Sequence, residues 1–92
     1  MNYEQMSDQQ ITDEIIKRRG LDTEWHRWDF CNSWADMGPL IEENGIVVAP
    51  YRSATPEAWS TAFGINAKFH AEDDNPLRAA AIVYLMMKEA GK

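Results

Sequence analysis

The chain is short of cysteine, of positive charge and of long apolar runs, and each shortage removes a class of protein. Cys31 is the single cysteine in 92 residues. No intramolecular disulfide can form, and a lone thiol suits a reducing compartment better than an oxidising one. Lys and Arg number 9 against 15 Asp and Glu, a formal net charge of −6. A direct duplex-DNA binder needs a basic face to neutralise phosphates, so that partner is not expected. Electrostatic attachment to an anionic membrane is disfavoured for the same reason. The longest apolar run, 79–87, is less than half of the roughly 20 residues that span a bilayer. Met1 to Ser7 has neither the basic nor the apolar part of a secretory signal. The expected location is therefore the cytoplasm.

What is present points to a folded chain. At 45% apolar and 11% aromatic, it carries too much hydrophobic surface to stay disordered. Its length fits a single domain over residues 1–92. Ser7 with Gln10 three positions on makes a capping box, and Met6 and Ile11 can staple across it. A helix over 7–19 follows, closed by Lys17, Arg18, Arg19 and Gly20. Only Ile11, Ile15 and Ile16 are apolar within it, so one narrow face packs.

Residues 22–34 interleave Trp25, Trp28, Phe30 and Trp34 with charge. Their spacings fit neither helix nor strand throughout, which predicts an irregular or short helical connection whose aromatics dock onto the core. A second helix opens near Trp34 behind Asn32 or Ser33. Pro39 should restart or kink it, and Asn44-Gly45 should end it. Ile46 to Ala49 is β-branched and reads as a strand, limited by Pro50. Trp59, Thr61 and Phe63 alternate, which favours a strand over 58–63, although Thr55-Pro56-Glu57 and Gly64 would also suit a helix. The strongest signal comes last. Asp74 or Asn75 caps a helix with Pro76 at its first position. Leu77, Ala81, Ile82 and Leu85 line one face, and nothing between Arg78 and Lys88 is charged, so this helix should be central and mostly buried.

Two segments together resemble a known family. Trp34-Ala35-Asp36-Met37-Gly38-Pro39-Leu40-Ile41-Glu42 is similar to the W-x-x-x-G-P-(I/L)-I-E signature of the NinX-like small bacteriophage and prophage proteins. In that pattern a strand follows, then Trp-x-Ala, then a helix opening with (T/N)-P-L-x-A-A. Residues 45–49 stand at the strand, and Asn75-Pro76-Leu77-Arg78-Ala79-Ala80 matches the helix opening. Trp59-Ser60-Thr61-Ala62 has one extra residue before its alanine, and Ala81-Ile82 departs from the M-R that tends to continue the family helix. The resemblance covers about residues 30–90, with helix 7–19 outside it as an extension. It implies a phage origin, life in the bacterial cytoplasm and an unknown activity, so it transfers no catalytic residue.

The residues offer little chemistry of their own. His26, Cys31 and His70 are the soft metal ligands, and their spacings match no paired-ligand motif, so no metal and no cofactor is expected. Cys31 with either histidine lacks an orienting third group, and a buried structural thiol is the better assignment. Glu42-Glu43 and Glu72-Asp73-Asp74 read as solvated surface. No glycine cluster resembles a phosphate cradle. The four tryptophans are the unusual feature. Trp34 and Trp59, inside the signature, are assigned to the core. Trp25, Arg27 and Trp28 form a candidate partner-binding cluster, because Trp and Arg are enriched in interface hot spots.

The fold expected is α+β: a small antiparallel sheet of two or three strands packed on two or three helices, the C-terminal helix central. The expected function is a non-enzymatic phage accessory module that binds a host or phage protein. The alternative is an acidic nucleic-acid mimic that occupies a DNA-processing protein. A second copy of the chain is a further candidate partner, through the second face of the apolar C-terminal helix.

Overall fold

In the computed structural model, which describes residues 3–60 and 69–90, a 3-10 turn at Tyr3–Gln5 leads into helix α1, Asp8–Arg19. The expected cap is formed in both directions. Ser7 Oγ accepts from the Gln10 amide at 3.1 Å, and the Ser7 amide donates to Gln10 Oε1 at 2.7 Å. Gly20 closes the helix in the left-handed region, φ 62°, where a side chain would be strained. Ile11, Thr12 and Ile15 are buried while the opposite face stays wet.

Helix α2, Trp34–Asn44, is capped by Ser33 and closed by Gly45, also at positive φ. Pro39 neither restarts nor breaks it. The carbonyl deprived of a partner belongs to Ala35, and both Ala35 and Pro39 are exposed, so water can satisfy it. Trp34 is not core: it is 55% exposed. As the first residue of α2, it lies beyond the stripe of Asp36, Met37 and Leu40 that turns inward.

Three short strands form an antiparallel sheet in the order β1 (Val47–Ala49), β2 (Glu57–Trp59), β3 (His70–Glu72). Val48, Ala58 and Ala71 lie opposite one another and share a face. Ala58 and Ala71 are buried, and their small side chains let a helix approach closely. The strand expected over 58–63 begins one residue early and ends at Trp59, with Ser60 in a bend. Residues 61–63 of that expectation lie outside the described residues.

Helix α3, Pro76–Ala90, crosses the alanine face and also packs against α1, α2 and the 3-10 turn. Asn75 is its cap, its Oδ1 accepting from the amides of Leu77 at 3.0 Å and Arg78 at 3.3 Å. Leu77 and all residues from Ala79 to Leu85 are buried. The fold is thus α+β with the C-terminal helix at its centre, as the sequence indicates. Residues 79–85 of α3 are covered by the chain's own elements.

Candidate functional site

The connection from Leu21 to Ser33 contains no regular element, yet it is closely tied. The Asp22 carboxylate accepts from the Glu24 amide at 2.8 Å, and the Asp22 carbonyl accepts from Trp28 Nε1 at 2.8 Å. Those two bonds close a loop whose tip is Trp25, His26 and Arg27. Trp28 stacks on buried Phe30, ring centroids 5.5 Å apart and planes 6° from parallel. The His26 ring meets Trp28 at 4.3 Å, edge to face. The Phe30 amide donates to Thr12 Oγ1 at 3.2 Å, which fastens the connection to α1.

Asp36 holds the other side. It sits in the first turn of α2 and is 7% exposed, where the helix dipole favours a carboxylate. Its Oδ1 lies 2.8 Å from His26 Nε2, and its Oδ2 accepts from the Asp29 amide at 2.9 Å. One buried carboxylate therefore grips the loop at two points seven and ten residues upstream. Nothing about Asp36 in the sequence separates it from a solvated helix-start acid. Only the return of the loop over α2 gives it this role.

The three residues of the aromatic cluster have different situations. Trp25 is 84% exposed, and Arg27 is exposed beside it. Trp28 is half-buried, its ring committed to Phe30 and His26, so it braces the loop that presents the other two. Two depressions flank this loop. A cleft of about 630 Å³ runs between it and the Gln9, Asp13 and Ile16 side of α1. A groove of about 390 Å³ lies towards α2, floored by Leu21, Phe30, Pro39 and Leu40 with Asp36 and Arg19 at its polar wall.

The soft ligands named from the sequence occupy separate surroundings. Cys31 is fully buried and points its thiol at the Asp8 carbonyl. Burial pushes its pKa up to about 12, so the thiolate needed for nucleophilic chemistry is scarce at neutral pH. His26 is spoken for by Asp36. His70 pairs with Glu57 across the sheet, Nε2 to Oε1 at 2.6 Å. Of the acidic runs, Glu43 meets Arg19 at 3.3 Å and Asp73 meets Arg78 at 2.9 Å. Glu72 departs from the expectation of plain solvated surface, because its carboxylate converges with Glu57 and His70. The alternation His70-x-Glu72 hints that these two share a face, but their meeting with Glu57 depends on a strand register that the sequence does not specify.

No helix among the described residues is long and apolar enough to cross a membrane. A family model described as Bacteriophage P22, NinX matches residues 4–88, a span that takes in α1 as well as the signature segments. No curated protein and no solved structure matches the chain.

Proposed function

Because the chain belongs to the bacteriophage P22 NinX family, we propose that it is a non-enzymatic phage accessory module that binds a host or phage protein in the bacterial cytoplasm. The observation that carries this reading is Trp25, 84% exposed at the tip of a loop fixed by Asp22, Trp28 and Asp36. A rigidly presented indole makes a good anchor, since little conformational freedom is lost on binding. Arg27 beside it and the cleft below it supply the polar and concave parts of such a surface.

The acidic-mimic reading is weakened by the ion pairs within the chain, which engage 6 of its 15 acids. Asp8, Glu14, Asp36, Glu43, Glu57 and Asp73 each pair with a basic side chain of the chain itself. A mimic needs its carboxylates free and spaced like phosphates.

The test is capture from a lysate of the bacterial host with the tagged chain, comparing wild type with Trp25→Ala plus Arg27→Ala. Both substitutions are at exposed positions and should leave the fold intact. A specific band that disappears with the double variant is the expected outcome. Bands equal in both captures would sink the role of this surface.

A further inference from the structure

We propose that Glu57, His70 and Glu72 bind a divalent first-row transition-metal ion on the solvent face of the sheet, with Zn²⁺ the best-suited member. The site is independent of the Trp25 surface and stands or falls without it.

The strand register creates the cluster. Glu57 lies directly opposite Glu72, and Trp59 directly opposite His70. Side chains alternate along a strand, so these four share the face turned away from α3, while Ala58 and Ala71 face the core. One ligand atom from each of Glu57, His70 and Glu72 falls within 4.8 Å of the other two. The strands are pinned at both ends of the cluster. The Asp73 amide donates to the Pro56 carbonyl at 3.1 Å on one side, and the Ser60 amide to the Phe69 carbonyl at 3.1 Å on the other.

Among the described residues, a single imidazole meets the two opposed carboxylates. Like charges directly opposed across an antiparallel pair destabilise it. A protonated imidazole offsets one of the two carboxylates; a divalent ion offsets both. The distances are close to what such an ion requires. With metal–ligand bonds near 2.0–2.2 Å in a tetrahedral site, ligand atoms sit roughly 3.4 Å apart. His70 Nε2 and Glu57 Oε1 are at 2.6 Å and would part by a little under about 1 Å to admit the ion between them. The Glu72 carboxylate is exposed and closes the remaining distance by side-chain rotation. One imidazole and two carboxylates favour Zn²⁺ and its neighbours over Ca²⁺ or Mg²⁺, which want six or more oxygens. Because His70 is exposed, with a side chain 45% accessible, water can complete the coordination.

The experiment is Zn²⁺ titration of the full chain near neutral pH against a chromophoric chelator, followed by thermal melting with and without the ion. Wild type is expected to take up one equivalent and to melt at a higher temperature with Zn²⁺. His70→Asn should weaken that uptake at least tenfold and abolish the shift in melting. Glu72→Gln, on the exposed edge strand, should do the same and serves if the histidine variant folds poorly. His26→Asn, which removes the other exposed imidazole, should bind as wild type does. Binding unchanged in both His70→Asn and Glu72→Gln, or wild-type uptake no tighter than theirs, overturns the site.

Discussion

Arg78 at the start of α3 donates from Nη1 to the Asp8 carboxylate at the start of α1, at 2.7 Å across 70 positions of chain. The same guanidinium donates from Nε to Asp73 at 2.9 Å and from Nη2 to the carbonyls of Glu4 and Met6. One planar side chain thus joins the 3-10 turn, α1 and the β3–α3 connection, using donors fixed in direction. Its side chain is 12% accessible, while Asp8 is 48% accessible, so the bonds to Asp73 and Met6 are part-buried and those to Asp8 and Glu4 lie at the surface.

Arg78→Met should therefore destabilise the fold by about 2–4 kcal/mol, since it leaves two carboxylates and two carbonyls without their donor. Arg78→Lys should recover little of this, because an ammonium cannot reach four acceptors from one place. By contrast, Arg18→Ala removes only an (i, i+4) pair with Glu14 and should cost about 0.5 kcal/mol or less. Urea unfolding of the three variants, read as midpoints, checks the order. An Arg78→Met midpoint equal to that of Arg18→Ala would count against the tie.

The role of Arg78 also marks where the sequence stops being informative. The α1 cap, the left-handed glycines and the central α3 follow from local rules, so Ser7, Gln10, Gly20, Asn75 and the apolar run up to Leu85 announce themselves. Asp36 and Glu72 look like any acid near a helix start or a turn. Their roles arise from segments that meet at long range: the loop folding over α2, and a register setting Glu72 against Glu57. Trp34 misleads for a related reason. A tryptophan in a helix signature suggests the core, yet at the first position of α2 it overhangs the buried stripe.

Alkaline pH should loosen the fold through two buried acids. Burial pushes the Cys31 thiol up to about 12 from 9.0, and burial together with Glu89 pushes the Tyr3 phenol up to about 12 from 10.0. Both folded-state values lie above the unfolded ones, so the folded chain holds protons that the unfolded chain releases. The stability these groups contribute is complete below about pH 9 and is lost as pH rises towards 12. Urea midpoints should fall across that window, and fall less steeply in a Tyr3→Phe, Cys31→Ala double variant. Thiol labelling of wild type at pH 8 should track unfolding; immediate labelling of the folded chain would contradict the burial of Cys31.

Gly20 and Gly45 should respond to substitution through the backbone alone. Their φ angles are 62° and 63°, and a Cβ added at either would meet nothing within 4 Å. The cost of Gly20→Ala or Gly45→Ala is then the left-handed penalty, about 1–2 kcal/mol each, with no packing contribution. Asparagine tolerates that region better, so Gly20→Asn should cost less than Gly20→Ala. Melting temperatures of the three single variants test this. Equal losses for alanine and asparagine would mean that something other than φ sets the cost.

Asp36 links stability to the proposed partner surface. Replacing it with alanine removes the acceptor for the Asp29 amide and the companion of His26, and should cost about 1–3 kcal/mol. The larger consequence should be local. Without Asp36, the tip carrying Trp25 and Arg27 keeps its side chains but is fastened through Asp22, the Trp28–Phe30 stack and the Phe30–Thr12 bond alone among the described contacts. Ordering that tip on binding would then oppose association, so capture of a partner should weaken although no contacting residue has changed. NMR relaxation of the Trp25 indole N–H, with all four tryptophans kept, should show faster local motion once Asp36→Ala is added. Rigid Trp25 and undiminished capture in Asp36→Ala would mean that the clamp does not govern presentation of the loop.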